Sequence, residues 1–292
     1  MTIKHLLYSI LFLFFFTSCG VLPSTDSESE AFDTATLNEQ ISSSRNFFYN
    51  LLLPTDLIDV FKIEQLEYNE DWLNPTDNYI NYSTNNKKAI NLGVYGVDFG
   101  YTSMNNRVEQ LKAYAQTISR LAKDLGIPEE HINNALTLSL SMTNNDSLYQ
   151  ATCQLYEIID SYLNQNERQS ISALIILGGW VEAMYLVTNL AEENPSPEAY
   201  QKVGSQKYAL QSLISYLSTF QDDMLIANYL VLLNALNKVY EQIDIYYKDS
   251  ASIVINAEKR IINTENSEVN MNREQFMKIK DLIIKIRNHM VQ

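Results

Sequence analysis

Between Ile171 and Ala191 the chain runs for 21 residues with a single charge, Glu182. A segment that long and apolar has two homes. It can span a bilayer, for which about 20 residues suffice, or it can form the centre of a large bundle, apolar on every side. Glu182 sits near its middle, where a charge in hydrocarbon costs about 2.5–3.5 kcal/mol. Gly178, Gly179, Thr188 and Asn189 dilute the apolar character further. The sequence therefore favours a buried central helix, and that helix needs a shell of others to cover it.

The rest of the chain can supply the shell. Only 8 Gly and 6 Pro occur in 292 residues, so turns are few and helices long. Apolar spacing and caps predict helices over about 55–66, 84–104, 106–125, a short one after Pro128, then 147–164, 167–193, 197–220, 222–247 and 272–289. Thr84 suits an N-cap, Gly126 a C-terminal stop, and Pro54 and Pro197 first turns. Residues 67–82 read as irregular, with an Asn74-Pro75 break. The fold class expected is all-α, a single bundle of about nine helices over residues 37–292. A short β-hairpin is expected near 250–270, where Ser252–Asn256 has strand character.

Two helices are unusual. Gly93, Gly96 and Gly100 share one face of the 84–104 helix, and each costs about 1 kcal/mol against alanine. Close approach of another backbone would compensate. Asp98 is the lone charge between Lys88 and Arg107, as Glu182 is in its own helix. Buried carboxylates need partners. One reading is a structural hydrogen bond or ion pair. The sharper one is a ligand pocket lined by Asp98, Glu182, Tyr95, Tyr101 and Trp180, in which Glu182→Gln would spare folding and abolish binding. Tyr68, Trp72, Tyr79 and Tyr82 form an aromatic cluster that either plugs a bundle end or stacks on a ligand; the plug is the expectation.

The catalytic inventory is poor. There is no HExxH, CxxC, GxSxG or Walker loop, and no Cys/His set with metal spacing. His131 and His289 lie far apart, and Cys153 sits among Tyr149, Leu155 and Tyr156 as a small apolar residue. Neither a metal nor a cofactor is expected. A net charge of −14 argues against a nucleic-acid partner, which needs a basic patch. A hydrolase using paired carboxylates stays open as an alternative, because acids are plentiful and their separation in space is not readable from the chain.

The N-terminus reads as a processing signal. Lys4 precedes an apolar run, Leu6–Phe16, which is too short to span a membrane. Phe16-Thr17-Ser18-Cys19 resembles the bacterial lipoprotein box, with Phe16 where that box usually has Leu. The resemblance implies transfer of a diacylglycerol, with palmitate-class acyl chains, to the Cys19 sulfur and then cleavage after residue 18; two or more such chains anchor stably. Residues 19–36 are polar and acidic and read as a lipidated flexible tether. Gly20 is not the aspartate of inner-membrane retention, so an outer-membrane address is expected, on either face. The expected partners are the membrane, through lipid on Cys19, and a protein of the cell envelope.

From Pro54 onward the chain resembles a family of uncharacterised Bacteroidetes lipoproteins. The resemblance rests on Leu73-Asn74-Pro75, on Lys88 to Asp98, on Ser172-Ala173-Leu174 leading into Gly178-Gly179-Trp180, and on Glu274-Gln275-Phe276. It implies the same helical, lipid-anchored architecture and brings no activity. A non-enzymatic binding or assembly module, or a structural spacer of the envelope, fits the residues as read.

Overall fold

The computed structural model describes residues 68–105, 107–130, 132–133, 136–137, 155, 158–247, 255–256, 261–262 and 267–292. They form an all-α bundle with a small antiparallel β element. In chain order the helices are α1 (Asn85–Met104), α2 (Val108–Asp124), α3 (Gln169–Glu193), α4 (Pro197–Ser205), α5 (Lys207–Ser218), α6 (Met224–Tyr240) and α7 (Arg273–Val291). Helical residues also occur at 129–130, 132–133, 136–137, 155 and 158–165. Two short 3₁₀ turns, Glu70–Trp72 and Thr76–Asn81, precede α1. The predicted helix over 55–66, the signal, the tether, Cys19, His131 and Cys153 lie outside the described residues.

Helix ends follow local chemistry. The Thr84 side chain accepts from the Lys87 amide, and Ser196 does the same for Ala199 one residue before Pro197. Asp223 accepts from the Leu225 and Ile226 amides. Asn272 and Gln275 exchange bonds in a capping box at the start of α7. Gly126, with φ of +72°, closes the end of α2.

The apolar 21-residue run is the centre of α3, and its side chains are buried on all sides except at Tyr185. Its apolar circumference is covered by the protein's own helices rather than by lipid. The covering is closest at α1. A Cβ placed on Gly178 would lie 1.9 Å from the Ile90 carbonyl oxygen, and one on Gly93 would lie 2.0 Å from that of Ile175. The two backbones touch where both side chains are missing, which accounts for these two glycines in helix interiors.

On another side α7 packs along α3. Arg287 pairs with Glu182 and Lys280 with Glu192. The partners descend along α7 as they ascend along α3, so the helices run in opposite senses.

Two boundaries differ from the sequence expectation. The helix expected over 197–220 is two helices, divided at Gln206. There Gly204 presses against Val269, whose Cγ1 would sit 2.2 Å from a Cβ. The Gln206 side chain is drawn inward to accept from Trp180 Nε1 at 3.2 Å. The helix expected over 222–247 stops at Tyr240. Strand β1 (Asp244–Tyr247) then pairs antiparallel with β4 (Ser267–Asn270), Asp244 opposite Asn270. Between them β2 (Ile255–Asn256) pairs with β3 (Ile261–Ile262). The hairpin is thus longer than expected and begins with Asp244-Ile-Tyr-Tyr, a β-branched and aromatic run.

The glycine contact makes a direct prediction. Gly178→Ala gains helix propensity yet forces α1 and α3 apart. It should destabilise the fold by about 1–3 kcal/mol, the usual range for overpacking, as read from the urea midpoint at unchanged m-value.

Candidate functional site

The two lone acids meet inside the bundle. Glu182 on α3 and Asp98 on α1 are both wholly buried, and they lie close enough that the Glu182 carboxylate acts on the Asp98 carboxyl. Arg287, on α7, reaches the same point. Its Nε donates to Glu182 Oε2 at 2.8 Å and its Nη2 to Oε1 at 2.9 Å. This two-pronged geometry is the strongest a carboxylate can accept from a side chain. The guanidinium lies over the Tyr185 ring, 4.3 Å from its centroid, and Nη2 also donates to the Trp72 carbonyl at 2.9 Å. Burial opposes the charge on Arg287, but Glu182 outweighs it and raises the guanidinium above its ordinary value. Asp98 behaves oppositely to a salt-bridged acid. Burial first, and the Glu182 carboxylate second, push it well above the ordinary carboxylate range.

Above this cluster lies a strap, residues 69–75, running from the first 3₁₀ turn to Pro75. Asn74 is its hub, and every polar atom it owns is used. Its amide donates to Asp98 Oδ2 at 3.1 Å. Its side-chain nitrogen donates to Tyr82 and Asn91, and its side-chain oxygen accepts from Asn78. Its carbonyl accepts from Tyr114 on α2 at 3.2 Å. Helix α1 holds the strap at three places: Tyr95 Oη donates to the Pro75 carbonyl at 2.8 Å, Asp98 takes the Asn74 amide, and Tyr101 Oη accepts from the Asn69 amide at 3.0 Å.

Four of the five residues nominated from sequence are therefore brought together, by the chain's own backbone. Tyr95, Asp98 and Tyr101 grip the strap, and Glu182 lies beneath with Arg287. Trp180 does not join them, because its indole is engaged with Gln206. The aromatic cluster packs inward: Tyr68 stacks on Tyr101 with centroids 5.2 Å apart, Tyr82 is buried against Tyr95, and Trp72 and Tyr79 lean on the core.

Sequence reasoning missed Arg287 and the role of Asn74. Arg287 had a readable signal. Phe276, Lys280, Ile283, Arg287 and Met290 form one stripe of α7 at helical spacing, and all five are buried. Two cations in an apolar stripe ask for buried acids opposite. Asn74 had only the Asn-Pro break to mark it.

Outside the strap lies a groove of about 600 Å³. Glu70, Asp71 and Asp77 line one wall, and Glu109, Gln110 and Tyr114 of α2 the other. Gln110 Nε2 donates to Glu70 across it at 3.3 Å. Among the described residues, no group of three His, Cys, Asp or Glu side chains is placed to hold a metal ion. His289 bonds Tyr229 at 3.1 Å. Comparison with known protein families, with characterised proteins and with solved structures finds no match.

The bidentate pair changes what Glu182→Gln should do. An amide cannot satisfy both guanidinium prongs, so the substitution leaves a buried cation short of its partner. Loss of stability of about 3–5 kcal/mol is expected for Glu182→Gln and for Arg287→Met alike, measured by chemical denaturation. The double variant should lose less than the sum of the two.

Proposed function

We propose that this protein is a lipid-anchored module of the cell envelope that works by binding or assembly rather than by catalysis. Its membrane attachment rests on the lipoprotein-like Phe16-Thr17-Ser18-Cys19, with a diacylglycerol on the Cys19 sulfur. The non-catalytic reading is supported by one observation above all. The two acids most isolated in the sequence are wholly buried, one locked to Arg287 and the other bound to the strap backbone. Carboxyls so engaged are groups of the fold. A protein partner in the envelope, reached from an outer-membrane anchor, fits a chain with a net charge of −14.

A second reading, a carboxylate hydrolase, has one feature in its favour. The groove between the strap and α2 carries Glu70, Asp71, Asp77 and Glu109, and such chemistry needs two acids facing across a cleft. Turnover on glycan panels that is lost in Asp77→Asn or Glu109→Gln would establish it over the binding reading.

The anchor is tested by Cys19→Ser. Oxygen in place of sulfur removes the acceptor of the diacylglycerol, and the protein should move from the membrane pellet to the soluble fraction. Retention in the pellet would overturn the attachment.

A further inference from the structure

The acid cluster holds two carboxyls against one guanidinium. Glu182 uses both oxygens on Arg287. Asp98 uses Oδ2 on the Asn74 amide, and its Oδ1 is buried with no donor in reach. If both acids were ionised, the site would carry an uncompensated negative charge beneath the strap, and Asp98 Oδ1 would remain a buried acceptor without a donor. A proton on Oδ1 resolves both defects. It neutralises the excess charge, and it turns the orphaned acceptor into a donor to Glu182.

We propose that Asp98 and Glu182 share one proton carried on Asp98 Oδ1, and that loss of this proton releases the strap, residues 69–75, from the bundle. Release follows because the strap is fastened to the same atoms. Arg287 holds the Trp72 carbonyl and Asp98 holds the Asn74 amide. Two ionised carboxyls in contact repel, and the cheapest relief is to admit water, which requires lifting the residues that cover them. Buried Leu73 and Asn74 are those residues.

The groups facing Asp98 leave it as the one that titrates. Arg287 of α7 stays charged. Tyr68 and Tyr82 flanking the strap, Tyr95 of α1 and Tyr114 of α2 are all pushed by burial above the ordinary tyrosine value, so they remain neutral while a carboxyl titrates. From α3 the facing groups are Glu182 itself and Tyr185, whose ring carries the guanidinium. The sign follows from the raised value of Asp98. The closed strap binds the proton more tightly than the open one. Closure is therefore strongest below the ordinary carboxylate pKa, weakens as pH rises through the interval up to the raised value, and levels off beyond it.

Hydrogen exchange of the full chain in detergent, normalised for intrinsic rates, tests the device. Protection of the strap amides should fall with pH by up to about tenfold per pH unit within that interval, the limit for one proton, while amides in the centre of α3 stay protected. Asp98→Asn supplies an N–H to Glu182 and keeps an oxygen for the Asn74 amide, so it should fold and show no pH slope. The same slope in Asp98→Asn, or none in the natural chain, refutes the proposal. Should the variant fail to fold, the carboxyl ¹³C shift of Asp98 in the natural protein decides. Titration above the ordinary carboxylate range supports the shared proton, and an ordinary titration refutes it.

Discussion

The architecture depends on one buried interaction, the two-pronged bond between Glu182 and Arg287. A carboxylate at the centre of the most apolar helix would be a severe defect alone, since desolvating it is far more costly than any packing it could offer. The guanidinium removes the defect and adds information. It can satisfy Glu182 only if α7 lies against α3 in one register, and in that register a further N–H reaches Trp72. The pair thus fixes α7 and the strap relative to the central helix. A hydrophobic core tolerates small slippage of one helix on another, whereas a fork of two bonds at 2.8 and 2.9 Å does not.

The second constraint is the contact of α1 with α3 at Gly93 and Gly178. It brings the Asp98 helix close enough for the two acids to act on each other. Close approach and charge compensation work together here: the missing side chains let α1 in, and Arg287 neutralises part of what α1 brings. The strap then closes the cluster with main-chain bonds, so residues that read like a pocket lining are filled by the chain's own segment. Tyr95, Asp98 and Tyr101 follow at intervals of three on α1, and each takes one backbone group of that segment.

Much of this was legible before any coordinates. Helices α1 and α7, capped by Thr84 and Asn272, and α2, closed at Gly126, have ends set by local chemistry, and their bounds agree with the sequence expectation within a few residues. Boundaries set by distant contacts were not legible. Nothing local stops the helix at Gln206; Val269 against Gly204 and the Trp180 indole do. Nothing local turns the chain out of the helix before Asp244 except a modest β preference, and the pairing with Ser267–Asn270 settles it. At the site, Asp98 and Glu182 stand out as lone charges; proximity in sequence also places Trp180 with them, but its indole bonds Gln206 instead.

By itself the sequence determined that α1, α2, α3 and α7 are helices, that residues 171–191 had to be enclosed, and that two acids within apolar helices needed partners. These are consequences of periodicity and of the free energy of burying charge, which act on each segment separately. Tertiary structure alone decided who the partners are: Arg287 from 105 residues away for Glu182, and the amide of Asn74 for Asp98. The reason is that a buried charge specifies the kind of group it needs and not its place in the chain. Only the packed arrangement of α1, α3 and α7 makes one cation and one strap the groups that arrive.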